Sequence, residues 1–86
     1  MWIAEHRFSE MQKHGLIGHI SLVQEERFQL VTEDGRGFLF TLGRKASLQI
    51  SDLQGLQKSH TRVRVEYSGE PNTTSGVVEL VQPLGG

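Results

Sequence analysis

The residue types that most often carry out chemistry are present, but they are scattered along the chain. Histidines could bind a metal ion and serines could act as nucleophiles. The histidines are His6, His14, His19 and His60, and the serines in turns or near a helix end are Ser47, Ser51, Ser59 and Ser68. The histidines do not cluster at metal-ligand spacing on one rigid element, and no serine has a recognisable base and orienting partner. The sequence therefore predicts a protein that is not an enzyme and needs no metal ion or other cofactor.

Recognition of single-stranded nucleic acid needs a different set of side chains, with aromatic rings to stack on bases and cations to hold phosphates. Both occur in or near the segment RFQLVTEDGRGFLFTL, residues 27–42. Asp34-Gly35 is typical of a two-residue hairpin turn, which places residue 31 opposite 38 and residue 29 opposite 40. One face of this hairpin would carry Phe28, Leu30 and Leu39, and the other would carry Val31, Phe38, Phe40 and Leu42.

The predicted binding site is the hairpin face that bears Phe38 and Phe40. These rings are expected to stack on bases beside Val31, while phosphates are held by Arg27, Arg36, Arg62 and Arg64. Alternatively, protein covers this face, either an N-terminal arm with Trp2 and Phe8 or a second copy of the chain. A hairpin loop of odd length would exchange the two faces and make Phe28 the leading residue of the platform.

The elements that must position these side chains are predicted to be strands, because apolar residues recur in short runs throughout residues 15–82. The strand segments are GLIGHISLV, the two arms of the hairpin, TRVRVEY and VVELVQPL, which Pro83 closes. A short helix over about Asp52–Ser59, with Ser51 and Gln54 as a capping box, separates the third and fourth strands. The order β-β-β-α-β-β is typical of the OB-fold, a mainly β, five-stranded Greek-key barrel.

The segments outside this barrel are short. Residues 1–14 are predicted to form an arm or a short helix, and residues 83–86 a tail that ends in Gly85-Gly86. Ubiquitin-like carriers also end in Gly-Gly, but their main helix follows the second strand, which disagrees with the predicted order. The polar loop at 68–76 is expected to be mobile and to gain order when a ligand binds.

One stretch of the sequence also resembles a known family. GHISLVQEERFQLVTEDGRGFLFTLGRK, residues 18–45, resembles the front half of bacterial translation initiation factor one and related RNA-binding OB domains. The shared features are the leading Gly18, the Phe28 strand, the acidic turn ending at Gly35, the apolar third strand and the basic exit after Gly43. This resemblance implies an OB barrel that binds RNA across its second and third strands.

Composition narrows the possible functions further. The chain has 86 residues, no cysteine and a formal net charge of −1. The lack of cysteine excludes a disulfide framework, and the near-zero charge argues against nucleic-acid binding through bulk electrostatics. No apolar run resembles a signal peptide or a membrane span, so we expect a cytoplasmic protein with no membrane partner.

Two functions follow as expectations from the sequence. The first is a small OB module that binds single-stranded nucleic acid weakly, with RNA as the favoured ligand. The second is a protein-interaction or self-assembling module that uses the same hydrophobic face, with Trp2, Phe8, Phe38 and Phe40 as contact residues.

Overall fold

A computed structural model of the chain describes residues 14–84. Within that range the elements are β1 His14–Gln24, β2 Arg27–Thr32, β3 Gly37–Leu42, α1 Ile50–Lys58, β4 Arg62–Ser68 and β5 Val77–Pro83. The strands close into a barrel in the order β1-β2-β3-β5-β4. All neighbouring strands are antiparallel except β3 and β5, whose parallel pairing is limited to Thr41–Val77 and Leu42–Val78. The predicted fold class and element order are confirmed.

At both ends of the barrel, the structure differs from a predicted boundary by one residue. The predicted N-terminal arm lies outside the described residues except for His14, which begins β1. The predicted tail begins at Pro83, but in the structure Pro83 is the last residue of β5. Between residues 14 and 84, no helix is long and apolar enough to cross a lipid bilayer.

The long first strand closes the barrel because it pairs on both sides. Its first half pairs with β4 and its second half with β2, and Gly18 belongs to both pairings. An added Cβ on Gly18 would lie 2.2 Å from the backbone oxygen of Val31. Only glycine therefore allows β1 and β2 to approach this closely while β1 bends around the barrel.

Strict alternation in β4 places two valines in the core. Val63 and Val65 are fully buried, as their two-residue period predicts. The buried core as a whole consists of Ile20, Phe28, Leu30, Phe40, Leu53, Val63, Val65, Val78 and Val81. Leu53 is the contribution of α1, and the Gln57 side-chain amide of the same helix donates a hydrogen bond to the backbone oxygen of Ser21 (3.0 Å). Helix α1 thus packs onto the barrel at β1.

The predicted helix start and its cap are wrong by two residues. Helix α1 begins at Ile50, directly after the N-cap residue Gln49. The Asp52 carboxylate accepts a hydrogen bond from the Gln49 backbone N–H (2.9 Å), a role that the sequence analysis gave to Gln54. An ionised carboxylate in the first turn satisfies a free N–H group and also interacts favourably with the helix dipole, which explains the earlier start.

The β2–β3 hairpin has a different register from the predicted one. Its loop contains three residues, Glu33 to Gly35, because Thr32 pairs with Arg36 through the bond Thr32 N–H to Arg36 O (3.0 Å). Gly35 has a φ of +86°, the left-handed conformation that a three-residue hairpin loop requires at its last position. The register consequently pairs Phe28 with Phe40 and Leu30 with Phe38.

Candidate functional site

The predicted placement of Phe38 and Phe40 on an outer platform is wrong. Phe40 has no solvent exposure, and its ring centroid lies 5.9 Å from that of Phe28 and 4.8 Å from that of Tyr67. Phe38 is partly buried and packs against the same core. The loop does have an odd length, as the alternative supposed, but the platform expected from it is absent because Phe28 is fully buried. The shifted register puts Phe28 and Phe40 on one face, and that face is the interior.

The outer surface of the hairpin instead forms a three-by-three array with the second half of β1, which we call the β1–β2–β3 face. Its register rows are His19–Val31–Gly37, Leu22–Gln29–Leu39 and Gln24–Arg27–Thr41. Leu22 is 42% exposed, and Val31 and Leu39 are partly exposed. The Ser21 hydroxyl donates to the Gln29 side-chain oxygen (2.9 Å), which holds the centre of the array. Among the described residues, this face has aliphatic side chains but no phenylalanine, tyrosine or tryptophan.

Arg27 differs from the other predicted phosphate contacts because it makes no ion pair within residues 14–84. It lies on the outer surface of β2, beside Thr41, and lines a shallow hollow with Gln24 and Glu25. Its Nε is inaccessible to solvent and has no hydrogen-bond partner among the described groups. A ligand cannot reach this buried Nε directly, so the other N–H groups of the guanidinium are the donors that suit an oxygen acceptor of a ligand.

The other three predicted arginines are paired with carboxylates of the chain itself. Arg36 contacts Asp34 (Nε to Oδ2, 2.9 Å), Arg62 contacts Glu33 (3.7 Å) and Arg64 contacts Glu66 (2.8 Å). The Arg36 guanidinium also lies 5.6 Å from the centroid of the Phe38 ring. These pairs neutralise charge locally, so the field that an approaching phosphate would feel is weaker than four free arginines would produce.

The seven predicted site residues do not form one site. Arg27 and Val31 are on the β1–β2–β3 face, and Arg36 is at the hairpin turn. Arg62 and Arg64 point outward from β4, which is separated from β2 by β1. Their proposed contact with phosphates stays a prediction. The Arg62 side chain reaches the hairpin loop through Glu33, whereas Arg64 pairs with Glu66 on its own strand.

The β4–β5 loop borders the candidate face and is fastened to β3. The Asn72 side-chain oxygen accepts a hydrogen bond from the Leu39 N–H (2.8 Å), and the Asn72 N–H donates to the Leu39 oxygen (2.8 Å). Asn72 has a φ of +68°, a conformation that asparagine tolerates better than most residues. The sequence does not predict this contact, because it joins residues that are 33 positions apart in the chain.

Within residues 14–84, Asp34 of the hairpin turn is the group whose pKa departs clearly from its ordinary value. A hydrogen bond from the Thr32 hydroxyl is the main cause that holds the pKa of Asp34 below its ordinary value of 3.8, and Arg36 lowers it further. The turn is therefore an ion-paired structural feature with a carboxylate that is fully charged at neutral pH.

The described residues contain no grouping that would hold a metal ion. Within residues 14–84, no three histidine, cysteine or acidic side chains lie together in a ligand geometry. His14 instead packs its ring near Tyr67, with centroids 5.4 Å apart. The β1–β2–β3 face therefore offers a ligand contact area, hydrogen-bond donors from Arg27 and Gln29, and a fixed shape.

Comparisons with known proteins give no relative for this chain. No protein family, curated protein or solved structure matches it. The resemblance of residues 18–45 to translation initiation factor one therefore stays a prediction from the sequence, and the candidate function depends on the geometry of the barrel.

Proposed function

We propose that this chain is a non-enzymatic binding module that takes a protein segment on its β1–β2–β3 face. The observation that carries the proposal is the composition of this face. A row of two leucines around a hydrogen-bonded glutamine, Leu22–Gln29–Leu39, lies beside Arg27, which has no ion pair among the described groups. Apolar contact area with an arginine next to it is typical of the centres of protein interfaces.

The geometry favours a partner that lies across the face over one that adds a strand to its edge. Addition of a strand needs free backbone N–H and C=O groups along β3. Asn72 already uses both backbone groups of Leu39, and Gly76 O accepts the N–H of Thr41 (2.9 Å). A partner segment is therefore expected to contact side chains of the array rather than extend the sheet.

Selection from a phage-displayed library of random peptides tests this proposal. The bait is the full chain, and enriched peptides are then titrated against three variants that keep the core intact. We expect Arg27→Ala and Leu39→Ala to weaken binding at least about tenfold, since each removes an interface contact worth roughly 1–2 kcal/mol. Arg36→Ala is the matched control, because Arg36 is engaged with Asp34 at the turn.

Two results would overturn the proposal. The first is failure to enrich any peptide over selection without bait. The second is a peptide that binds the Arg27→Ala and Leu39→Ala variants as tightly as the unchanged chain. Circular dichroism and urea unfolding of each variant must accompany the titrations, so that lost binding is not confused with lost structure.

A second candidate, binding of single-stranded RNA, is supported by the OB strand order together with the unpaired Arg27. Base stacking on Phe40 is removed from this proposal, because that ring is buried. Binding would then be led by phosphate contacts and would be weak and salt-dependent. The predicted cytoplasmic location suits either ligand and stays a prediction from the sequence.

Titration of fluorescent single-stranded oligonucleotides at low and physiological salt separates the two candidates. If RNA is the ligand, Arg27→Ala weakens binding and Arg36→Ala preserves it. The value of log K then falls with log salt by about 0.7 for each phosphate contacted, and the slope is smaller in Arg27→Ala. Absence of binding even at low salt removes the nucleic-acid candidate and leaves the protein candidate untouched. The Phe40→Ala variant is unsuitable here, because it would damage the core.

A further inference from the structure

Exposed large apolar side chains are concentrated on the side of the barrel away from the hairpin. Within residues 14–84 the most exposed ones are Ile17, Leu22, Leu80 and Leu84, at 39%, 42%, 38% and 41%. All except Leu22 lie on the outer surface of β1, β4 and β5, which we call the β1–β4–β5 face. Register rows Ile17–Arg64–Gln82 and Gly15–Glu66–Leu80 define it, and Leu84 continues it through a backbone bond to Arg62 (2.8 Å).

Charges at the centre of this face are neutralised within the chain. Arg64 Nη1 lies 2.8 Å from a Glu66 carboxylate oxygen. A Cβ added to Gly15 would lie 3.0 Å from Arg64 Nη2, so the guanidinium lies over the bare backbone of that glycine. The ion pair is thus flat against the sheet, between apolar side chains on β1 and β5. Such a surface suits an apolar occupant of low net charge.

The size of the face limits what can cover it. Three strands about 4.8 Å apart and five residues at about 3.4 Å each give an area of roughly 250 Å². A stable interface between two folded proteins buries about 800 Å² on each partner. The β1–β4–β5 face alone is therefore small beside a standard interface between two folded proteins, and its dimensions match a single segment of chain.

The chain itself provides such a segment next to this face. Residues 1–13 join β1 at His14, two residues before the Leu16–Val65 pair and opposite Tyr67 on β4. Their large apolar side chains are Trp2, Ile3, Phe8 and Met11, and their side-chain charges, two acidic and two basic, cancel. Thirteen residues span about 20 Å as a helix and about 43 Å when extended, and either length is enough to cross the face.

We propose that residues 1–13 pack across the β1–β4–β5 face of their own barrel. The neutral segment covers Ile17, Leu80 and Leu84, and the β1–β2–β3 face stays free for a ligand. This inference uses a different surface from the proposed function, so either one can fail without the other.

Intrinsic fluorescence tests the packing without a label, because Trp2 is the only tryptophan of the chain. In the full chain we expect Trp2 to be protected from quenching by acrylamide compared with the same protein in denaturant. Leu80→Asp and Ile17→Asp place a carboxylate under the segment and should shift the docking equilibrium at least about tenfold toward the free segment. Leu22→Asp is the matched control, since Leu22 is equally exposed but lies outside this face.

Three outcomes would overturn the inference. In the first, acrylamide quenches Trp2 of the unchanged chain as easily as in denaturant. In the second, Leu22→Asp increases the quenching of Trp2 while Leu80→Asp does not. In the third, the protection of Trp2 rises with protein concentration, in step with a dimer seen by sedimentation. The last outcome would place the segment on a second copy. Leu80→Ser serves as a milder variant if an aspartate prevents folding, and it must still increase quenching.

Discussion

Two glycines of this chain illustrate opposite effects of the same residue type. At Gly18 a Cβ would collide with the backbone of Val31, whereas at Gly55, inside α1, nothing lies within 4 Å of an added Cβ. Gly18→Ala is expected to destabilise the fold by about 1–3 kcal/mol, because two paired backbones must move apart. Gly55→Ala is expected to stabilise it by about 0.5–1 kcal/mol, because alanine loses less conformational freedom in a helix. Urea unfolding of both variants measures the two shifts, and a Gly18→Ala protein of unchanged stability would contradict the close approach of β1 and β2.

Asp34 gives the hairpin turn a pH dependence whose sign can be worked out. Its pKa is lower in the folded chain than in the unfolded chain, mainly because of the Thr32 hydroxyl. The carboxylate therefore stabilises the fold above the ordinary value of 3.8, and this contribution disappears as the pH falls through the lower, folded pKa. We expect Asp34→Asn to be less stable than the unchanged chain at neutral pH, and the difference to shrink on acidification through this range. A difference that stays constant down to the acid limit would assign the effect to geometry rather than to charge.

At the scale of elements, the hairpin shows why sequence reasoning predicted the strands but placed their faces wrongly. Apolar residues occupy both sides of β3, at Phe38, Leu39, Phe40 and Leu42, so alternation alone does not identify the inner face. The register then depends on the turn. A loop of three residues instead of two reassigns every side chain, and it is held by Gly35 and by the Thr32–Asp34–Arg36 hydrogen bonds. Those bonds are local side-chain contacts within one turn, and the Asp-Gly pattern alone does not predict them.

The β4–β5 loop is hydrogen-bonded to β3 through Asn72, and the predicted mobility of residues 68–76 stays a prediction. Asn72→Ala removes the acceptor of the Leu39 N–H and puts a less tolerant residue at φ +68°. We expect a loss of about 1–2 kcal/mol in unfolding free energy and faster hydrogen exchange at the Leu39 amide. Asn72→Gly separates the two causes, since it relieves the backbone conformation but still lacks the acceptor. If the Leu39 amide exchanges at the same rate in all three proteins, the hydrogen bond between Asn72 and the Leu39 N–H does not form in solution.

At the scale of the whole molecule, the order of elements was predictable and the surfaces were not. The order follows from local signals, such as the alternation of Val63 and Val65 and the Asp34-Gly35 turn of the hairpin. The candidate faces depend on which strands become neighbours, since β1 separates Arg27 from Arg64 and so divides the predicted site. The barrel closes through the short β3–β5 pairing, where only two residue pairs are in register. Its stability must therefore come mainly from side chains that meet in the interior.

The last prediction tests the interior directly by comparing two neighbours on β3. Phe40 is fully buried against Phe28 and Tyr67, whereas Leu39 points outward from the barrel. Phe40→Ala should cost about 3–5 kcal/mol, a large fraction of the stability of a domain this small, and Leu39→Ala should cost less than about 1 kcal/mol. Urea unfolding gives both values, and Phe40→Leu, expected to cost about 1 kcal/mol, replaces the alanine variant if that chain does not fold. The reverse order of the two costs would restore the two-residue turn, with Phe40 outside and Leu39 in the core.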